Sequence, residues 1–400
     1  MCRISYKIPV KILESKQIRV AVVNTVSSSA RTLWPASRAG AVLTVNLSAI
    51  AENYRYLKSR LGKTVCAAVV KADAYGLGVA QVAPVLEKAG AEHFFVAHVD
   101  EGLALRPFLS PHASVTVLHG PRPDAAEVCV RNNLRPVLNS LEQIAVLQDL
   151  AAKMDKPLDV AIQLDTGMSR FGLSEADIHK LAASPDLLKG LSVSLVMSHL
   201  ACADTPQNPA NAMQRERFEA YAHVLPKAAL SLSASSGIFL GPQFHFNLVR
   251  PGAALYGVAP QNEGDNPLKP VVGLHAHILQ IRHLSKGDRV GYGLTWQANG
   301  PCRVATIATG YADGFARARA AAGCAWYKGY RLPILGRISM DSMTVDLSAV
   351  PEGLLEEDGM VELLNASYGV DAVAKAEDTI GYEVLTSLGR RYHRVYATAA

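Results

Sequence analysis

Little in this 400-residue chain ties it to a membrane, to nucleic acid or to an oxidising compartment. No stretch reaches the roughly 18 uninterrupted apolar residues of a membrane span. No basic run marks a nucleic-acid or lipid surface, because the 40 basic and 35 acidic residues are dispersed and leave a net charge of only +5. Cysteine is scarce: Cys2, Cys66, Cys129, Cys202, Cys302 and Cys324 are widely scattered, with no C-x-x-C pair. That spacing argues against a zinc or dithiol redox site and favours reduced, buried thiols in a cytoplasmic protein. Acid is almost missing from the first 40 residues, where Glu14 stands alone among Ser27, Ser28, Ser29, Arg31 and Arg38. A targeting peptide has such a composition, but Arg19 and Asn24 interrupt the apolar run 18–26, so it lacks a clean secretory core. Residues 1–40 are therefore expected to be an N-terminal extension, disordered or partly ordered. No internal repeat points to a solenoid.

What is present is an apolar fraction of 49%, enough for two domains with large cores and a small-molecule partner. After an initial strand at 41–47 and a helix carrying Ile50, Tyr54, Leu57 and Leu61 at helical spacing, short apolar runs alternate with amphipathic stretches. Eight candidate strands fall at 64–70, 93–99, 114–119, 135–139, 158–165, 191–199, 228–234 and 247–252. Helical stretches at 79–88, 141–154, 175–183 and 211–225 lie between them. Eight parallel βα units predict an N-terminal (β/α)8 barrel over 41–270. Past the linker 262–270 the texture changes to strands without long helices, at 274–284, 303–309, 331–338 and 343–347, which predicts a β-rich domain over 271–400.

In a βα barrel, functional groups gather where the strands end. The first strand ends at Lys71, the fifth at Asp165-Thr-Gly-Met-Ser-Arg170, the sixth at Ser198-His199, the seventh at Ser235-Ser236-Gly237 and the eighth at Arg250-Pro-Gly252. An isolated lysine at a strand end most often only snorkels to solvent. A lysine against the buried run 67–70, however, has its charged form disfavoured, which suits Schiff-base chemistry with an aldehyde. Two Ser/Gly turns after the last two strands are where barrels commonly bind phosphate.

Six segments in order, 69–78 (VVKADAYGLG), 165–170 (DTGMSR), 250–257 (RPGAALYG), 290–293 (VGYG), 310–314 (GYADG) and 336–341 (GRISMD), resemble the alanine racemase family from about residue 41 to the C-terminus. The resemblance implies a pyridoxal 5'-phosphate-dependent isomerase that interconverts L- and D-alanine, with no metal. It implies that Lys71 joins the cofactor's aldehyde and that Tyr75, Ser235, Gly252 and Ala253 hold its phosphate. Arg250 would face the pyridine nitrogen and keep it unprotonated, with His199 in the same hydrogen-bond network. Inversion needs a base on each face of the reacting carbon. The resemblance assigns Lys71 to one face and Tyr292 of the partner subunit to the other, in a homodimer with shared sites. Arg170 would bind the substrate carboxylate, Met340 and Asp341 would line the pocket, and Tyr311 would stand at its entrance.

The pattern departs in three places. Many family members carry a lysine, modified as a carbamate, seven residues before the carboxylate-binding arginine, but this chain has Gln163, expected to position Arg170 with a bound anion. The C-terminal phosphate tyrosine aligns with Gly389, which makes Tyr392 the expected substitute, and the asparagine before the phosphate serine is Ala234. Other readings are a serine or lysine racemase of the same fold, a non-catalytic carrier of the cofactor, and a decarboxylase of the same barrel class. The carrier lacks a β domain, and the sequence alone leaves D-alanine supply for the cell wall and D-alanine breakdown both open.

Overall fold

The computed structural model describes residues 35–355 and 359–398, so most of the expected N-terminal extension lies outside the described residues. Strand β1 (Ala41–Asn46) leads directly into α1 (Leu47–Ser59), whose start is fixed by the Asn46 side chain accepting from the Ala49 amide at 2.9 Å. Strands β2 (Val65–Cys66) and β3 (Ala68–Val69) are one run interrupted at Ala67. They are followed by β4 (His93–Val96), β5 (Ser114–Val117), β6 (Leu134–Leu138), β7 (Leu158–Gln163), β8 (Leu191–Met197), β9 (Ala229–Ser231) and β10 (Leu248–Val249). Strands β3 to β9 pair in parallel in chain order, β10 pairs in parallel with β2, and an Ala234–Arg250 bridge joins the last two strand ends. The ring of eight expected strands is thus closed. Helices α2 (Lys71–Tyr75), α3 (Val79–Lys88), α4 (Val99–Leu105), α5 (Ala126–Arg131), α6 (Leu141–Met154), α7 (Glu175–Ala183) and α8 (Ala210–His223) follow successive strands.

The second sheet is built from β11 (Val272–Leu284), β14 (Cys302–Ile307), β15 (Cys324–Tyr327), β16 (Tyr330–Leu335), β17 (Met343–Asp346), β18 (Met360–Leu364) and β19 (His393–Ala397), while β12 (Arg289–Val290) and β13 (Trp296–Gln297) pair only with each other as a short antiparallel hairpin. The 13-residue β11 pairs with β18 through its first half and with β14 through its second, with an irregularity between Ile278 and Gln280. Its two halves therefore close β14-β17-β16-β15-β18 into a ring. Strand β1, placed with the barrel by its position in the chain, belongs instead to this sheet, antiparallel to β11 and parallel to β19. Its burial alternates, with Leu43 and Val45 inward and Thr44 and Asn46 towards solvent, as a half-buried strand requires.

Between β18 and β19 lie two short helices, α9 (Val370–Glu377) and α10 (Gly381–Ser387). Helix α10 packs against the α2 turn so closely that a side chain at Gly76 would sit 2.8 Å from the Leu385 carbonyl. One hydrophobic core runs from Leu43 and Phe94 through Leu255 to Ile334 and Leu385, uniting both sheets. Among the described residues no helix is long and apolar enough to cross a membrane, and no cluster of three or more metal-ligating side chains occurs.

Candidate active site

The C-terminal ends of the barrel strands surround a cavity of about 300 Å³. Lys71, Arg170 and Arg250 line it with His119 and His199, and no carboxylate does. Three cations in one acid-free cavity make a place for a multiply charged anion.

Lys71 opens a turn that runs the wrong way round. Ala72, Asp73, Ala74 and Tyr75 all have φ between 52° and 56°, a left-handed turn built from non-glycine residues. Such a conformation is unfavourable by roughly 1–2 kcal/mol per residue, so the surroundings must impose it. Glu101 accepts from the Ala72 amide at 2.7 Å and Asp73 from the Val79 amide at 2.7 Å, while Gly76 caps the turn at φ 82°. The turn aims Lys71 and Tyr75 into one cavity. Burial, then the Arg170 charge, pushes the Lys71 amine below its ordinary pKa, with Glu101 opposing.

Arg250 is buried, and its guanidinium donates to the carbonyls of Ser231 at 3.0 Å and Ser198 at 2.6 Å and to the Ser231 hydroxyl. Desolvation lowers its pKa, but these acceptors keep it charged. His199 places Nδ1 3.5 Å from an Arg250 nitrogen. Burial, then Arg250, pushes His199 down to about 3, so the ring is neutral. An arginine can only donate, so Nδ1 accepts and the ring proton belongs on Nε2.

Ser235 Oγ accepts from the amides of Gly252 at 3.0 Å and Ala254 at 3.2 Å, holding the last two strand ends together. A side chain at Gly252 would lie 2.2 Å from the Tyr75 hydroxyl, so any larger residue there would force Tyr75 to move. Ala253 is buried behind this wall. Tyr75 stacks against Tyr256 at 4.8 Å and Tyr382 at 6.1 Å. Tyr382 on α10 lines the cavity beside Ser236. It occupies the place expected for Tyr392, whose hydroxyl instead donates to the Asp313 carbonyl at 2.7 Å in the core of the second sheet.

The Arg170 loop is shaped by Asp165, whose Oδ1 accepts from the amides of Gly167, Met168 and Ser169 at 2.9, 3.0 and 3.1 Å. Gln163 lines the cavity and donates to the Phe171 carbonyl at 3.5 Å, supporting the loop through its backbone.

Tyr292, Tyr311, Met340 and Asp341 do not line the cavity of their own chain. Tyr292 is 69% exposed and Met340 52%. Their segments nevertheless meet: the amides of Tyr311 and Ala312 donate to the carbonyls of Ser339 and Met340 at 3.0 Å, and Gly291 lies against Arg337. Arg391 welds two of these loops, gripping Asp313 at 2.7 and 2.8 Å and Asp341 at 2.6 Å. Sequence reasoning overlooked His119, Tyr382 and Arg391. The same strand-end rule that found Lys71 points to His119, at the end of the expected strand 114–119.

Family models describe the match in two parts: the N-terminal domain of alanine racemase over residues 45–260 and its C-terminal domain over 271–396. A catabolic alanine racemase of Mesorhizobium japonicum is 48% identical over 94% of this chain and 98% of its own length. The alanine racemase of Brucella ovis is 45% identical over 90% and 94% respectively. Among solved structures, the Bartonella henselae alanine racemase with covalently bound pyridoxal phosphate superposes with a TM-score of 0.87 at 39% identity, covering 90% of this chain and all of that one. The biosynthetic alanine racemase of Pseudomonas aeruginosa gives 0.83 at 35% identity over 90% and 99%. With its strand-end lysine, its buried arginine–histidine pair and both domain models matched end to end, this chain belongs to the alanine racemase family.

Proposed function

We propose that this protein is a pyridoxal-phosphate-dependent alanine racemase whose sites are completed across a homodimer. One observation carries the reading: a lysine of depressed pKa shares an acid-free cavity with Arg170 and Arg250, beside a wall where Gly252 lets the Tyr75 hydroxyl approach closely. That lining fits a phosphate-bearing aldehyde together with a carboxylate-bearing substrate. When bound, pyridoxal phosphate supplies an electron-withdrawing ring that makes the α-proton of the amino acid removable.

The chain's own residues do the rest. Lys71, its charged form disfavoured by burial, would join the aldehyde through its amine, and Tyr75, Ser235, Gly252 and Ala253, with Tyr382, would hold the phosphate. Arg250, held by the Ser198 and Ser231 carbonyls, would provide a fixed positive charge for the ring nitrogen, which would limit electron withdrawal and favour simple return of the proton over side reactions. Arg170 grips the substrate carboxylate in the bidentate manner that a guanidinium allows. Lys71 takes or returns the α-proton on one face, and Tyr292 of the partner subunit acts on the other. A free tyrosine near pKa ~10 is a weak base at neutral pH. Neutral His199, accepting from Arg250 at Nδ1, has an Nε2 proton to donate to that phenolate. Met340, Asp341 and Tyr311 line the pocket and its entrance from the partner's side, which accounts for their exposure in a single chain. In this reading residues 41–270 are the cofactor-binding domain and 271–400 the domain that reaches across.

Enantiomers have equal free energy, so the catalyst sets no direction. Two relatives at 48% identity carry the name catabolic, which favours D-alanine breakdown over cell-wall supply. Scattered free thiols, with Cys66 and Cys129 pushed up to about 12 by burial, favour a cytoplasmic location. The test is incubation with L-alanine in D₂O. Deuterium at Cα and D-alanine are expected together, and Tyr292→Phe is expected to retain the bound cofactor's visible absorbance while losing racemisation. Undiminished turnover in Tyr292→Phe removes the second base from the mechanism.

A further inference from the structure

Three aromatic rings form a row beside the cavity. His98 meets His119 edge-on with centroids 4.5 Å apart, and His119 stacks on Phe171 at 5.0 Å and 33°. At the end of the row the Arg170 guanidinium lies 5.8 Å from the centre of the Phe171 ring. The rings come from three different strand ends, those of β4, β5 and β7.

We propose that His119 is a positioning residue for Arg170, acting through the ring of Phe171. The inference rests on the reading of Arg170 as the group that takes the substrate carboxylate. Phe171 is 40% exposed at the cavity mouth, so the core does not fix its ring. Two contacts hold the residue instead: the His119 stack and the Gln163 amide at its carbonyl. His119 is itself anchored, since its carbonyl accepts from Gln143 Nε2 at 3.0 Å. Gly120 follows at φ 66°, where a side chain would meet the Val137 carbonyl at 2.5 Å.

Without a holder Arg170 would be free to leave. It is long and exposed, whereas the face of an aromatic ring attracts a guanidinium. The stack keeps that face in place. His119 suits the task only as a neutral ring, because Lys71, Arg170 and His98 face it against the single carboxylate of Glu101. Burial and those charges do hold its pKa down.

The test uses the holoenzyme and propionate, which is alanine without its amine and so reads carboxylate binding apart from turnover. His119→Ala and Phe171→Ala should each weaken propionate binding and raise KM for alanine roughly five- to tenfold. In both, kcat should stay within about twofold. His119→Phe should restore both constants. In the double alanine variant the losses should not add, because both substitutions break one contact. Phe171→Ala, at an exposed position, keeps the test open if His119→Ala does not fold. Unchanged propionate affinity in a folded single variant, or additive losses in the double, overturns the proposal. A wild-type holoenzyme that binds no propionate overturns it together with the reading of Arg170.

Discussion

The rim of the barrel and the loops of the second sheet carry motifs equally rich in specific residues, yet the structure treats them in opposite ways. Around Ser235 and Arg250 the functional groups are tied down by buried hydrogen bonds, and the four-residue left-handed turn after Lys71 is held against its own preference. Around Tyr292, Tyr311 and Met340 the backbone segments are stitched together just as firmly, but their side chains point outwards. On the proposed shared-site reading, preorganisation within one chain stops at half a site, and the partner supplies the surface that the exposed half meets.

The sharpest way to break that contrast is to disable each half separately. Lys71→Ala alone should lower turnover by on the order of 10³-fold or more. Mixing Lys71→Ala with Tyr292→Phe, and allowing chains to exchange, should restore about a quarter of wild-type activity, since half the dimers are hybrids with one intact site each. An inactive mixture of demonstrably hybrid dimers would mean that the two residues do not meet across subunits.

A smaller effect separates the buried wall from the exposed loops. Gly252→Ala forces a methyl group against the Tyr75 hydroxyl and should destabilise the fold by about 1–3 kcal/mol, with weaker retention of cofactor. A melting temperature matching wild type would mean that Tyr75 yields easily. The smallest effect is expected at Arg391. Asp341 is exposed but Asp313 is buried and would keep only the Gly310 amide as donor to its carboxylate, so Arg391→Ala should lower stability by about 1–2 kcal/mol. The loosened Asp341 loop should appear as a raised KM for alanine with kcat little changed. A larger fall in melting temperature without a change in KM would make Arg391 structural only.

Much of the fold was legible. Each of the eight expected barrel strands has a counterpart, and helices α3, α6 and α7 begin and end where their apolar periodicity indicates. The sheet to which β1 belongs was not legible, because alternation identifies a half-buried strand without naming its neighbours. The site divides similarly. Lys71, Arg170, His199, Ser235, Arg250 and Gly252 meet at one cavity wall as strand-end reasoning expects. Tyr382 was missed in favour of Tyr392, since two tyrosines ten residues apart differ only in which way α10 and the bend before β19 turn them.

The order and spacing of residues determined the repeating βα units, the residues at each strand end and the chemistry those residues can perform, because local periodicity and side-chain type are properties of short segments. Tertiary structure alone decided that Tyr382 faces the cavity, that His98, His119 and Phe171 align beneath Arg170, and that Arg391 ties two distant loops together. Those facts depend on how separate elements rotate and approach when they bury a common core, which no single stretch of sequence encodes.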